Sequence, residues 1–173
     1  MAMIKLPILV ATGALAFVAA TALAQDPTIT NVRIAMTQNV NPSMLAIWEV
    51  TNNAMDDDGA LDAAKMDDAK FDSLVYSAGR LAEAGRTMAT WQSPVAAGPN
   101  NRTVSEDQVS MDHVQHQLDA DPAGFRAKAV AFAEHSEKLV AAAKARDVAA
   151  TGALVGEMDA VCEACHAQYW YGE

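Results

Sequence analysis

Cations are scarce in this chain of 173 residues: 12 Lys and Arg stand against 22 Asp and Glu, a formal charge of −10. That balance argues against nucleic acid as a partner, because phosphates are held by Lys and Arg. It favours solubility and would suit a basic partner. Aromatic residues make up only 6% of the chain, and runs of alternating β-branched residues are missing, so nothing reads as a half-buried sheet. Only one long apolar run occurs, Leu6 to Ala20, and without a second the mature protein is expected to be soluble rather than membrane-inserted. Cysteine is limited to Cys162 and Cys165, a pair that in an oxidising compartment would ordinarily suggest a disulfide.

The apolar run belongs to the opening "MAMIKLPILVATGALAFVAATALAQDP". Lys5 is a short positive head, the apolar stretch is too short for a span of about 20 residues, and "ALA" at 22–24 is a small-residue cleavage site before the polar "QDP". The expectation is an exported protein cleaved after Ala24, with residues 1–24 as signal peptide and 25–173 as one domain. Loss of Lys5 lowers the cations from 12 to 11 against 22 acids, leaving the mature chain at −11.

What the mature chain does have is Ala, Met, Leu, Glu and Lys, the strong helix formers. Four stretches carry apolar residues at helical spacing. From about Pro27 to Met55 the stripe is Ile29, Val32, Met36, Val40, Met44 and Ile47. Asn41-Pro42 interrupts it as a cap and first-turn proline would, predicting a kinked helix or two pieces. From about Ala63 to Trp91 the stripe is Phe71, Leu74, Ala78, Leu81, Gly85 and Met88. A polar stretch at 92–110 reads as loop with one helical turn near its end. Asp121-Pro122 opens the third stretch, with Phe125, Ala129, Phe132, Ser136, Leu139 and Ala143 on one face and His135 at its border. From about Asp147 to Trp170 the stripe is Val148, Gly152, Val155, Met158, Cys162, Cys165 and Tyr169. Four such helices must bury their stripes on one another, and the predicted fold is all-α, an antiparallel four-helix bundle.

Both cysteines fall in "VCEACHAQYW", where Cys162-Glu163-Ala164-Cys165-His166 is C-x-x-C-H, the spacing of a c-type haem attachment site. Thiols at i and i+3 of a helix face one side and can add to the two vinyl groups of one haem, and the adjacent His166 imidazole can reach its iron. Other readings fit less well. A structural zinc site needs four ligands and three are here, with His113 and His116 in a polar stretch as the only nearby supplement. A thioredoxin-like dithiol belongs at the start of a helix after a strand. An i, i+3 disulfide within a helix is strained and leaves His166 unexplained.

An exported four-helix chain with one C-x-x-C-H in its last helix resembles the cytochrome c′ family, the class II c-type cytochromes. The resemblance covers the whole mature chain in architecture, and in specific residues only the motif and its helix. It implies one haem c per chain, thioether-linked through Cys162 and Cys165 with His166 as proximal ligand, in a bacterial periplasm. It also implies unidentified redox proteins as partners and allows a homodimer. Members with a methionine from the first helix as sixth iron ligand carry electrons, and Met36 in "VRIAMTQNV" is the first candidate for that role, Met44 the second. Members with an open sixth position bind nitric oxide or carbon monoxide, which is the alternative reading. Arg33, Arg86 and Arg102 are candidate partners of the haem propionates. The family usually places Arg or Lys four residues after the haem histidine, whereas this chain has Trp170. No paired acid and base beside a nucleophile is readable, so the expectation is an electron carrier and not an enzyme.

Overall fold

The computed structural model describes residues 28–105 and 108–171. The predicted signal peptide and its cleavage site lie outside them. The described residues are all-helical apart from loops and one isolated β-bridge, Met55 to Leu61.

The first helical rod, α1, is made of Val32–Ile34, a π-helical stretch Ala35–Val40, and Asn41–Asn52 in direct succession. Asn31 caps it, its side-chain oxygen accepting from the Ile34 amide at 3.0 Å. The first free amides, of Val32 and Arg33, donate to the carbonyls of Val95 and Ala96 at 2.9 Å, so the 92–110 loop closes the end of the rod.

Of the two outcomes expected at Pro42, a kinked helix or two pieces, the chain does not take the second: the rod continues through the proline. Asn41 is helical rather than a cap, with φ −58° and ψ −49°, and its amide donates to the Met36 carbonyl five residues back. A proline lacks the N–H that the Gln38 carbonyl would otherwise receive. Arg80, from the next helix, supplies it: Nη2 donates to the Gln38 carbonyl at 3.2 Å and to the Asn39 side-chain oxygen at 2.6 Å. The wider π turn therefore absorbs Pro42, and a tertiary contact satisfies what the proline leaves open.

Helix α2, Asp68–Ala89, starts at Asp67, whose carboxylate accepts from the Lys70 amide at 2.9 Å. Its predicted stripe is buried throughout. Gly85 lies against helix α4, Pro122–Lys144: a Cβ there would stand 2.9 Å from the Ala133 backbone nitrogen, so glycine lets the two helices approach. These two helices form the most extensive helix pair in the molecule.

The 92–110 loop is followed not by a single turn but by a ten-residue helix, α3, Met111–Ala120, capped by Ser110. Met111, Val114 and Leu118 are its buried face, the i, i+3, i+7 pattern that the surrounding polar residues mask. Helix α5, Val148–Tyr169, begins at Asp147. The link from α4 turns through Arg146 at φ 57°, with the Asp147 amide donating to the Ala142 carbonyl at 3.1 Å, a Schellman closure. Arg146 holds this non-glycine turn by pairing with Asp68 at 3.1 Å and Asp72 at 2.8 Å and lying over the Phe71 ring.

Helix α2 packs on α1 and on α4, and α4 packs on α5. Ile47, Leu74, Leu81, Leu139 and Met158 fill the centre, and Leu118 adds α3 to the same core. His135 is inside rather than at a border: its Nε2 donates to the Leu154 carbonyl at 2.8 Å and ties α4 to α5. No helix among the described residues is long and apolar enough to cross a membrane.

Candidate functional site

Helices α1 and α5 face one another across a cavity of about 830 Å³, within the range of small-molecule and cofactor pockets. The last turns of α5 form one wall with Val161, Cys162, Cys165 and His166, and α1 forms the facing wall with Met36, Val40, Met44, Leu45 and Trp48. Helix α4 supplies the floor through Phe125, Lys128, Ala129 and Phe132, and Met88 reaches in from α2. Two thiols, one imidazole and three methionine thioethers, two of them from α1 and Met88 from α2, thus share one apolar, aromatic-walled space.

The helical period explains the α5 wall, since positions 162, 165 and 166 are three and four residues apart and fall on one face. Both cysteines are free and half-buried. Burial pushes the Cys162 thiol up, with Asp159 adding to the rise. Burial pushes Cys165 up to about 11, with the Lys128 charge partly opposing it. Reactive dithiols have lowered thiol pKa values and sit at helix N-termini. These thiols have the opposite tendency and sit near a C-terminus, so the geometry disfavours a dithiol oxidoreductase. Among the described residues no three His, Cys, Asp or Glu side chains converge as a metal site, and His113 and His116 lie on α3 away from the cavity lining.

The end of α5 is locked to the start of α4. The Tyr169 hydroxyl donates to the Asp121 carbonyl at 2.9 Å, and Gln168 Nε2 donates to the Asp121 carboxylate at 3.1 Å. That carboxylate also caps α4 through the Gly124 amide at 2.8 Å, and this bond, then Gln168, holds it below the usual carboxylate range. Gly124 is needed here, because a Cβ would lie 2.1 Å from the Asp121 Oδ2 atom and 2.9 Å from the Tyr169 oxygen. Burial, reinforced by Asp121, raises the Tyr169 phenol to about 12. The Tyr169 ring meets Phe125 edge-on at 5.5 Å, directly behind the cavity wall. Trp170 and Tyr171 flank the His166 ring at 6.4 and 6.2 Å, so aromatic rings occupy the ground around the histidine.

The three arginines singled out from sequence do not line the cavity. Arg33 donates to the carbonyls of Asn101 at 3.0 Å and Thr103 at 2.7 Å, pinning the loop that closes α1. Arg86 pairs with Glu137 and Arg102 with Asp112. The cavity's cation is instead Lys128, which sequence reasoning passed over. Its signal was its place three residues after Phe125 and four before Phe132, inside the arc of the α4 stripe.

An all-helical chain whose cavity wall carries C-x-x-C-H has the design of a haem protein. The chain matches the family model of cytochrome C′ over residues 62–170, more than half its length, and belongs to the cytochrome c′ family. Family membership implies a haem cofactor, and the cavity fits one in its apolar lining, its paired thiols and its imidazole. The match begins after α1, so the wall that carries Met36 and Met44 is outside it. No curated protein and no solved structure matches the chain.

Proposed function

We propose that this chain is a periplasmic monohaem c-type cytochrome that carries electrons. In this reading α1, α2, α4 and α5 are the four antiparallel members of the bundle, α3 elaborates the crossing between α2 and α4, and α5 is the haem-attachment helix. Cys162 and Cys165 hold one haem as thioethers, and His166 is its proximal ligand. Met36 is the sixth ligand and Met44 the second choice. The bound haem supplies a one-electron ferrous/ferric couple.

The observation that carries the reading is the single cavity shared by the thiols, the imidazole and the α1 methionines. Met44 is 5% exposed and packed within the core, whereas Met36 is only partly buried against it and lines the cavity with its flexible, unbranched side chain. Met36 also sits in the π stretch, a local geometry found often at functional sites. Thioether-plus-imidazole ligation raises the potential and suits transfer between proteins. The acidic surface suits weak, salt-dependent contact with basic redox partners. Trp170 and Tyr171 hold the His166 ring by packing, the role left to aromatic residues where position 170 carries no cation.

A second reading, a five-coordinate gas-binding haem protein, draws on a neighbouring cavity of about 700 Å³ lined by Leu61, Val148, Gly152 and Gly156. It shares Trp48 and Asp159 with the first and so lies next to the α1 side of it. Carbon monoxide added to the reduced, purified protein separates the two. An unchanged spectrum supports the electron carrier. A rapid spectral shift identifies an open sixth position and replaces the first reading by the second.

A further inference from the structure

Among the described residues that line the cavity, Lys128 is the only cation, and the carboxylates of Asp159 and Glu163 share the wall with it. It takes part in none of the ion pairs among the described residues, which engage Lys70, Arg86, Arg102 and Arg146. A haem brings two propionate carboxylates into this setting. Bringing two more carboxylates into a cavity whose lining already holds Asp159 and Glu163 is unfavourable unless a cation stands with them. Arg33, Arg86 and Arg102 are held elsewhere by their own partners. A lysine suits the rim of an apolar cavity, since its stem lies along the wall while its ammonium stays at the mouth.

We propose that Lys128 is the cation that pairs with a haem propionate and thereby favours the ferrous state. The assignment rests on the haem reading above. Lys128 is a positioning residue: it touches the cofactor's carboxylate and acts on the iron only through its field, so its signature is electrostatic.

The test uses the haem-loaded protein, with reduced-to-oxidised ratios read optically at a fixed solution potential. Lys128→Gln should lower that ratio several-fold, because a positive charge at the mouth of an apolar cavity favours the more negative iron state. Lys128→Glu should lower it further, and Lys128→Arg should restore the parent value. A structural role would not follow the sign of the charge in this way. As an independent reading on the unmodified protein, the Lys128 ε-methylene protons should show paramagnetic displacement in the ferric state. A ratio indifferent to all three substitutions, or undisplaced Lys128 signals, overturns the Lys128 assignment alone. If Lys128→Gln fails to hold haem, the displacement in the unmodified protein decides the matter. Purified protein without covalent haem overturns the haem reading and this inference with it.

Discussion

The two walls of the cavity are built on different terms. The α5 wall is local: cysteines and histidine lie within five consecutive residues, and helical spacing alone brings them to one face. The α1 wall depends on the rest of the molecule. Its π stretch runs up to the Asn41-Pro42 turn, where the proline withholds an N–H, and it is held by Arg80 from a helix about forty residues away in sequence. The family match follows the same division, covering α5 and leaving α1 outside. In the proposed reading the attachment chemistry is therefore fixed in a short motif. What the iron meets on the other side is left to tertiary structure.

The largest effect that would break the comparison is on the motif side. Replacing Cys162 and Cys165 together by Ala should abolish covalent haem, measured as the loss of haem mass on the denatured polypeptide. Covalent attachment persisting in that variant would remove α5 as the anchoring wall. On the α1 side, Arg80→Met leaves the Gln38 carbonyl and the Asn39 side chain without their donor. It should cost about 1–2 kcal/mol in denaturant unfolding, chiefly through the buried Asn39 side chain, since the Gln38 carbonyl is exposed. In a Pro42→Ala background residue 42 donates again, so the same arginine substitution should cost roughly 1 kcal/mol less, a coupling readable in a double-mutant cycle. Equal costs in both backgrounds would separate Arg80 from the π stretch.

A smaller effect sharpens the α5 side. Tyr169→Phe removes one hydrogen bond to Asp121 and should cost about 1 kcal/mol. The folded phenol is raised from an ordinary 10.0 to about 12, so the folded state holds its proton longer than the unfolded state. The stability it contributes is complete below pH 10.0 and is lost as pH rises towards about 12. Alkaline unfolding curves should show that loss in the parent and lack it in Tyr169→Phe. At the other end, Asp121 sits below the usual carboxylate range, so its contribution is present at neutral pH. It is lost as acid protonates it below its ordinary value of 3.8.

What was legible in the sequence follows the same line. The C-x-x-C-H motif, the cap at Asp121, the start of the last helix near Asp147 and the apolar faces of α2, α4 and α5 are local patterns, and the helices form where those patterns place them. Pro42 misled because its missing hydrogen bond is compensated by a residue remote in sequence. Helix α3 escaped notice because three buried residues are spaced among polar ones. The arginines lie off the cavity lining for a related reason: a cation's partner is chosen by the fold, and Arg33 went to a loop carbonyl pair while Lys128 went to the cavity. Periodicity put His135 at a border, and only the packing of α4 on α5 takes it inside.

The most direct test of the central claim, that an α1 methionine completes the iron's coordination opposite His166, is the absorption spectrum of the ferric protein beside those of Met36→Ala and Met44→Ala. The account predicts a weak sulfur-to-iron charge-transfer band in the parent and in Met44→Ala. Met36→Ala should lack the band and gain carbon monoxide binding when reduced. A parent protein that lacks the band and already binds carbon monoxide would contradict it.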